Sequence, residues 1–323
     1  MWLGPGKIVL EDVPAPVAGP GEAVVDVVGA SICGSDLHAY RENGGSRTPP
    51  LVLGHEAVGT VAGRSGTFAI LPLEGCGSCQ QCLAGLENLC SKRKLLGLDR
   101  AGVFAEQVIV RESCLIPLPP DLPVSVGVLA EPLATAIAAL RAVEDALADG
   151  GRLVIIGCGS IGLLALVAVK TTYGQEADVE VTVVDPVASR RELAYQLGAS
   201  TLHESVSELS SGAADAAIDA VGVEETWSAA IRSLRPGGAV AIVGLGSIGG
   251  HMDVGRIVRA GITLKGTYAY SHRDFLSATQ LLPAAFIPAG LTTTKPLSNG
   301  QAAFDMLIKH PEATVKVVLD PSC

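Results

Sequence analysis

Four cysteines lie within fifteen positions of this chain. Cys76, Cys79, Cys82 and Cys90 follow the spacing C-x2-C-x2-C-x7-C. Four thiolates spaced in this way can close a tetrahedral zinc site with no open coordination position, so a zinc ion held here would be structural and not catalytic. Four thiolates also hold iron–sulfur clusters, and that alternative stays open on spacing alone. In a reducing compartment, such crowding favours metal binding over disulfides.

A second set of metal-binding side chains is dispersed along the chain. It consists of Cys33, His55, Glu56 and Glu131. A thiolate, an imidazole and carboxylates make a mixed zinc site that can keep one position for water or substrate. Read singly, each residue has an ordinary alternative: Cys33 as a core thiol, His55 as a core histidine with satisfied hydrogen bonds, and Glu131 as a helix-start residue beside Pro132.

A glycine motif predicts a dinucleotide site. The run Gly157-Cys158-Gly159-Ser160-Ile161-Gly162 matches G-x-G-x-x-G; it follows the apolar strand predicted over Leu153–Ile156 and opens a predicted helix. The first glycine permits a tight turn, the second lets the backbone approach a pyrophosphate, and the third lets helix pack on strand. The helix N-terminus then adds partial positive charge. Val221 and Gly244, near the ends of later strands, are expected to contact the cofactor as well.

Asp185 is expected to select the nicotinamide cofactor. It ends the next predicted strand, 23 residues after Gly162. There its carboxylate can accept hydrogen bonds from ribose hydroxyls and repel the 2′-phosphate of NADP, which predicts NAD. Arg190 and Arg191 follow closely, and Arg190 could stack on adenine, pair with Asp185 or bind a phosphate.

The elements that must position these residues change in character along the chain. Residues 1 to about 125 carry short β-rich runs broken by Gly and Pro, typical of a mostly antiparallel β domain. From about 150, strands alternate with helices, which predicts a parallel, doubly wound α/β sheet. A helical tail then includes Arg273–Phe286 and Asn299–Lys309 and ends in a strand over Thr314–Leu319. We expect this tail to return to the first domain.

Composition narrows the partners. With 323 residues, 48% of them hydrophobic and a formal charge of −10, the chain can bury a large core and would on average be repelled by nucleic acid and by anionic membranes. The apolar run Leu153–Val169 is interrupted by glycines and predicts strand, turn and helix, not a membrane span. The N-terminus lacks the features of a secretory signal, so we expect a cytoplasmic protein with a small-molecule ligand.

The motifs together resemble those of the zinc-dependent medium-chain dehydrogenases, in particular the sorbitol and threonine dehydrogenase branch. The resemblance covers essentially the whole chain. It is carried, in order, by Cys33-Gly34-Ser35-Asp36-Leu37-His38, Gly54-His55-Glu56, the four-cysteine lobe, Gly102-Val103-Phe104-Ala105-Glu106, Glu131-Pro132-Leu133, the glycine motif and Leu234-Arg235-Pro236-Gly237-Gly238. One departure is that the segment Val61–Leu71 is shorter than in that family, as if a hairpin had been trimmed.

The resemblance implies a GroES-like catalytic domain over residues 1–130 with a structural-zinc lobe at 75–92. It further implies a Rossmann domain over 131–268 and a segment 269–323 that returns to the catalytic domain. Two zinc ions per chain are implied, the catalytic one on Cys33 and His55 with Glu56 or Glu131 completing its ligands. Ser35 and His38 would relay the proton to solvent, a role that suits histidine because it ionises near neutral pH. Homodimers or homotetramers are implied too.

The activity expected from these features is hydride transfer between NAD(H) and a secondary alcohol or ketone. A carboxylate in place of a thiolate on zinc suits vicinal diols, sugar alcohols, cyclitols or amino alcohols. Two alternatives remain: a zinc-containing reductase of another reaction type, and a non-catalytic NAD(H)-binding sensor. Mere binding would not require so complete a set of catalytic side chains, which weighs against the sensor.

Overall fold

The computed structural model describes residues 1–41, 47–148, 150–173 and 179–322. The chain divides into two compact units. The first comprises Met1–Glu131, Ser271–Pro283 and Ala289–Cys323, and the second comprises Pro132–Tyr270 and Ala284–Pro288.

Within the described ranges, the strands are β1 (Trp2–Gly4), β2 (Lys7–Ile8), β3 (Glu22–Ser31), β4 (Glu56–Thr60), β5 (Phe68–Ile70), β6 (Leu73–Glu74), β7 (Lys94–Leu95), β8 (Gln107–Arg111), β9 (Leu115–Pro117), β10 (Gly151–Ile156), β11 (Val179–Val184), β12 (Thr201–His203), β13 (Ala214–Asp219), β14 (Leu234–Ile242), β15 (Thr263–Gly266), β16 (Thr292–Pro296) and β17 (Lys316–Asp320). The α-helices are α1 (Gly34–Arg41), α2 (Gln80–Leu83), α3 (Val124–Gly127), α4 (Ala130–Arg141), α5 (Ser160–Tyr173), α6 (Ala188–Gln196), α7 (Glu224–Ser233), α8 (Val254–Ala260), α9 (His272–Leu281) and α10 (Gly300–Lys309).

The first unit is built on a seven-stranded sheet. Its strand order is β16-β17-β3-β4-β5-β9, and β8 also pairs with β3. All of its pairs are antiparallel except β16 with β17. β3 is its longest strand, and Val25, Val27 and Ala30 contribute buried side chains to a core shared with β4, β5 and β8. The mostly antiparallel β domain predicted from the sequence is therefore confirmed, and its last strand, β17, comes from the chain's C-terminal end.

The second unit is a six-stranded parallel sheet in the order β12-β11-β10-β13-β14-β15. The order reverses at β10, because the chain first builds outward on one side of this strand and then on the other. Leu153, Val154, Ile155 and Ile156 on β10 are all buried, as expected for a strand covered on both faces by crossover helices. The predicted doubly wound sheet is confirmed.

Two boundaries differ from the sequence prediction. The helix predicted over Arg273–Phe286 begins at His272, where Ser271 accepts a hydrogen bond from the Asp274 backbone N–H, and ends at Leu281. Its predicted end is wrong because Pro283 disfavours helical backbone at the residue before it. The apolar run Ala239–Gly244 predicts a strand, but β14 begins five residues earlier, at Leu234, and passes through Pro236-Gly237-Gly238 with an irregularity in its register.

Among the described residues, one helical segment is long and apolar enough to cross a membrane by length and composition alone. It is Val124–Arg141, but 67% of it is buried inside the protein, as is usual for a core helix. The other apolar run, Leu153–Val169, forms β10, a glycine turn and most of α5, as predicted.

Candidate catalytic, metal and dinucleotide sites

Three of the predicted catalytic-zinc ligands meet in the first unit. Cys33 lies just beyond β3, His55 directly precedes β4, and Glu56 is the first residue of β4. The antiparallel register pairs Ser31 with Glu56, so the end of one strand and the start of the next bring the three side chains together. Their candidate ligand atoms all lie within 4.8 Å of one another.

The chemistry of this cluster fits a metal ion. Burial, followed by the nearby Glu56 carboxylate, raises the pKa of the Cys33 thiol to about 12. A thiolate here therefore needs a cation beside it. Glu56 Oε1 and His55 Nδ1 are both buried and have no hydrogen-bond partner among the described residues. Buried polar atoms left without partners are costly, and a metal ion shared with Cys33 would satisfy the carboxylate oxygen and the thiolate together.

Asp36 organises the surroundings of this cluster. Its carboxylate is fully buried and accepts hydrogen bonds from the Cys33 backbone N–H at 3.1 Å and from Arg47 Nη2 at 3.2 Å. Its Oδ1 also lies 3.7 Å from His55 Nδ1, beyond ordinary hydrogen-bond range. Carboxylates commonly orient a metal-bound histidine through its other ring nitrogen. Asp36 lies in the motif Cys33-Gly34-Ser35-Asp36-Leu37-His38, but local spacing alone does not indicate this role.

Glu131 is the second residue of α4 and is buried. It is not part of the group formed by Cys33, His55 and Glu56. Its charge nevertheless acts on the same region, because it is one of the groups that raise the pKa of Lys316.

Lys316 is the residue that sequence reasoning missed altogether. It is fully buried and its Nζ donates to Glu56 Oε2 at 2.5 Å. Burial alone would lower the pKa of Lys316, but the charges of Glu56 and Cys33 reverse the direction and raise it. The available signal was a single charged residue inside the apolar run Val315–Leu319.

The two predicted relay residues lie on α1. Ser35 Oγ accepts a hydrogen bond from Arg47 Nη2 at 3.2 Å. His38 is exposed at the next turn of the helix, where its ring is open to solvent.

The four predicted structural-zinc ligands also meet. The Sγ atoms of Cys76, Cys79, Cys82 and Cys90 lie within 4.8 Å of one another. Cys79 and Cys82 are 3.5 Å apart, and Cys76 and Cys82 are 4.0 Å apart. Four sulfurs at about 2.3 Å from one tetrahedral ion are about 3.8 Å apart. The spacing thus suits a single ion, and it is too tight for a multi-iron cluster between the sulfurs.

The glycine motif forms the predicted turn between β10 and α5. Gly157 has φ +91°, a conformation that favours glycine. A Cβ added at Gly162 would lie 1.8 Å from the Gly157 carbonyl oxygen, so helix and turn could not pack with a larger residue. A Cβ added at Gly159 would meet no described atom within 4 Å. This open space lies in front of the backbone where α5 begins, at Ser160 and Ile161. It fits a pyrophosphate.

Asp185 directly follows β11, as predicted, and is buried. Its carboxylate accepts hydrogen bonds from the backbone N–H groups of Cys158 at 2.7 Å and Val187 at 2.8 Å. Arg191 donates to the Asp185 carbonyl oxygen and lies 3.5 Å from Glu204. The Arg190 Nε is buried without a hydrogen-bond partner among the described residues.

Val221 and Gly244 meet where β13 and β14 end. A Cβ added at Gly244 would lie 2.2 Å from the Val221 carbonyl carbon. The fully buried Asp219 holds this turn through the backbone N–H groups of Val221 and Gly222. The predicted cofactor residues are therefore brought to the carboxyl ends of β10, β11, β13 and β14, the edge at which parallel sheets bind ligands.

Comparison with known proteins places these sites in a family. Residues 19–120 match the alcohol dehydrogenase GroES-like domain, and residues 160–284 match the zinc-binding dehydrogenase domain. L-threonine 3-dehydrogenase of Caldanaerobacter subterraneus subsp. tengcongensis is 31% identical, covering 95% of this chain and 93% of that protein. The chain belongs to the zinc-dependent medium-chain dehydrogenase family, and the predicted combination of GroES-like and Rossmann domains is confirmed.

Solved structures support the same family assignment. The 2R,3R-butanediol dehydrogenase of Bacillus subtilis is 28% identical with a TM-score of 0.86, covering 99% of this chain and 98% of that one. A zinc-binding dehydrogenase from Sinorhizobium meliloti 1021, bound to NADP, is also 28% identical, with a TM-score of 0.85 and coverages of 98% and 96%. The protein is an alcohol or polyol dehydrogenase that binds a nicotinamide dinucleotide.

Proposed function

We propose that the protein interconverts a secondary alcohol and a ketone with NAD(H), using a zinc ion held by Cys33, His55 and Glu56. The observation that carries this proposal is the buried cluster of these three ligands, with its high-pKa thiol and its carboxylate oxygen lacking a partner. Zinc bound there would act as a Lewis acid on the substrate oxygen. The grouping of the ligand atoms favours Glu56 over Glu131 as the carboxylate ligand.

The remaining side chains of the site have separate roles in this proposal. Asp36 orients His55 and the Cys33 backbone, and Glu131 adds negative charge beside the cluster. Ser35 and the exposed His38 carry the substrate proton from the site to solvent, since histidine is the side chain that most often serves as a general acid or base. Ser35 is held for this by Arg47, which restrains its hydroxyl.

The proposed substrates are vicinal diols, sugar alcohols, cyclitols or amino alcohols. A carboxylate-containing ligand set is harder and more polar than one with two thiolates, which suits substrates that carry a second polar group next to the reacting carbon. The relatives named above, a threonine dehydrogenase and a butanediol dehydrogenase, act on substrates of this kind by their names.

NAD is the proposed cofactor, bound by Gly157, Gly159, Ser160, Ile161, Gly162, Asp185, Arg190, Val221 and Gly244. The carboxylate of Asp185, immobilised by two backbone N–H groups, would repel a 2′-phosphate. Two like charges about 4 Å apart cost about 4 kcal/mol at an effective dielectric of 20. Among the residues that the structure describes, the buried Arg190 Nε has no hydrogen-bond partner, and in this proposal the guanidinium stacks on the adenine.

The second proposed zinc ion is structural and is held by Cys76, Cys79, Cys82 and Cys90, for a total of two per chain. Their Sγ distances support a single tetrahedral ion. We also propose a cytoplasmic location, since the described cysteines are free thiols and thiols persist in reducing compartments.

A homodimer or homotetramer is proposed on the strength of one sheet edge. All four residues of β15, Thr263–Gly266, are exposed at the end of the six-stranded sheet. The same unit also exposes Leu245, Ile248 and Val258. An exposed sheet edge beside apolar side chains is typical of an interface with another chain.

The test of this function combines metal content with a substrate panel. Elemental analysis of the purified protein is expected to give two zinc ions per chain, with the four-cysteine ion the slower to leave in chelator because it has no open position. Polyols, inositols, aminocyclitols and threonine are then assayed with NAD. Activity is expected to fall in step with loss of the zinc ion proposed on Cys33, His55 and Glu56. Activity that persists without that zinc would contradict the proposal.

A further inference from the structure

Lys316 reaches the catalytic cluster from the last strand of the chain. The antiparallel register pairs Val318 on β17 with Ser31 on β3, and Ser31 with Glu56 on β4. Side chains that are directly opposite, or two residues apart on one strand, lie on the same face of a sheet. Lys316, Ser31 and Glu56 therefore share a face across three neighbouring strands.

These three side chains meet at one oxygen of Glu56. Lys316 Nζ donates to Glu56 Oε2 at 2.5 Å and to the Ile32 carbonyl oxygen at 3.2 Å. Ser31 Oγ donates to the same Oε2. Glu56 Oε1, in contrast, has no hydrogen-bond partner among the described residues, although it is buried. All three side chains are essentially inaccessible to solvent, so water does not compete for Oε2.

The asymmetry of the carboxylate has a consequence for a metal held nearby. A carboxylate can bind a metal ion through one oxygen or through both. A catalytic zinc site needs one coordination position left for water or substrate. If Glu56 used both oxygens beside Cys33 and His55, all four positions of a tetrahedral ion would be filled by the protein.

We propose that Lys316 is a positioning residue which, together with Ser31, holds Oε2 of Glu56 so that only Oε1 is offered to the metal. This inference rests on the proposed function, in which Cys33, His55 and Glu56 bind the catalytic zinc. Lys316 acts through Glu56 and keeps the open position available for substrate. A charge-assisted bond to a fully buried lysine is well suited to this, because neither partner can be solvated elsewhere.

The test uses cobalt(II) as a spectroscopic replacement for the catalytic zinc in the full-length protein, with zinc left in the four-cysteine lobe. Wild type, Lys316→Met and Ser31→Ala are compared with Lys309→Met, which removes a lysine from the exposed face of α10. Lys316→Met frees Oε2, so both oxygens can bind. Because the second carboxylate oxygen takes the position of solvent, the visible d–d spectrum of the bound cobalt is expected to change, and extraction by chelator to slow by about tenfold. Ser31→Ala should change the spectrum and the extraction rate in the same direction but by less. Lys309→Met should change neither the spectrum nor the extraction rate.

The outcomes distinguish a failure of the proposed function from a failure of the role given to Lys316. Wild-type protein that takes up metal only in the four-cysteine lobe would refute the proposed function, and the inference with it. Normal uptake in wild type, with the same spectrum and extraction rate in Lys316→Met, would overturn the inference alone. If Lys316→Met does not fold, Ser31→Ala decides: a changed spectrum with slower extraction supports the inference, and an unchanged spectrum overturns it.

Discussion

Fully buried charge is concentrated around the catalytic cluster of the first unit. Asp36, Glu56 and Lys316 are all fully buried, an arrangement that is costly unless each charge is paired. Lys316 pairs with Glu56, and Asp36 pairs with Arg47. The thiol of Cys33 stays protonated, because burial raises its pKa to about 12. A cation would change that state.

The first prediction concerns Cys33. Cys33→Ala removes the thiolate ligand, so the protein is expected to hold one zinc instead of two and to lose turnover by at least about 10³-fold, given the several kcal/mol that a Lewis-acid metal supplies. Cofactor affinity, measured by nicotinamide fluorescence, should change little because the glycine motif lies in the other unit.

The matched control for that experiment is Cys114→Ala. Cys114 is also buried, and burial raises the pKa of its thiol too, to about 11. It belongs to neither group of metal-binding side chains. This variant should keep both zinc ions and most of its turnover. A Cys33→Ala protein with full activity would refute the zinc mechanism.

The second prediction concerns Asp185. The unmodified protein is expected to prefer NAD over NADP by at least about tenfold in kcat/KM, allowing for screening of the like-charge repulsion. Asp185→Ser should narrow or invert that ratio, because it removes the repelling carboxylate and leaves Arg190 and Arg191 able to bind the phosphate. Steady-state kinetics with both cofactors measure the effect.

Glu204→Ser is the control for Asp185→Ser. It removes the exposed carboxylate that lies 3.5 Å from Arg191 but leaves Asp185 in place, so the preference for NAD should persist. Equal use of the two cofactors by the unmodified protein would show that the arginines outweigh Asp185.

At the scale of elements, the sites depend on strand ends and on the turns that follow them. Cys33 and Glu56 come together because β3 ends where β4 begins, and Lys316 joins them through the register of β17. The glycine turn, Asp185, Val221 and Gly244 follow the ends of four parallel strands. Periodicity in the sequence was sufficient to predict these strands within a few residues. It could not predict register between β17 and β3, because their partners are almost 300 residues apart in the chain.

This limit explains which residues were found and which were missed. Gly157, Cys76 and Cys33 are recognisable because their chemistry is encoded by local spacing. Lys316 has no local signature beyond being a lysine in an apolar strand, and its partner Glu56 lies on a strand that is not its neighbour in sequence. The short strands β12, β15 and β16 were missed for a related reason: three to five residues carry too little alternation to be recognised without their partners.

The third prediction separates two glycines of the same turn. Gly162→Ala places a Cβ 1.8 Å from the Gly157 carbonyl oxygen, so α5 must shift. The free energy of unfolding is therefore expected to fall by about 1–3 kcal/mol. Gly159→Ala places its Cβ in open space, so stability should stay close to wild type while cofactor affinity falls by at least about tenfold because the methyl group blocks the pyrophosphate.

Thermal unfolding in the absence of cofactor and cofactor titration measure the two effects, and each variant is the control for the other. The interpretation of the turn would be wrong if Gly159→Ala bound cofactor like wild type. It would also be wrong if both variants lost stability equally.

At the scale of the whole molecule, the segments of the two compact units alternate along the chain. The last strand of the first unit, β17, carries Lys316, the partner of Glu56, although Pro132–Tyr270, about 140 residues, lie between in the sequence and belong to the second unit. A truncation before β17 would therefore remove both a central neighbour of β3 and the counter-charge of Glu56. The catalytic unit is not a separable N-terminal domain, and its cluster is complete only when the chain's end has folded back onto it.

The fourth prediction concerns assembly. Light scattering is expected to give a mass of two or four times the 32.9 kDa of one chain, because β15 leaves a row of backbone hydrogen-bonding groups at an exposed sheet edge. Leu264→Lys places a charge in the middle of this strand, where pairing with another chain would bury it. The variant should shift the protein toward the monomer by at least about tenfold in dissociation constant. Leu10→Lys is the control, since Leu10 is also an exposed leucine but lies in the first unit; this variant should leave the mass unchanged. A wild-type protein that is monomeric at micromolar concentration, or a Leu264→Lys variant that assembles like wild type, would show that β15 is not the interface.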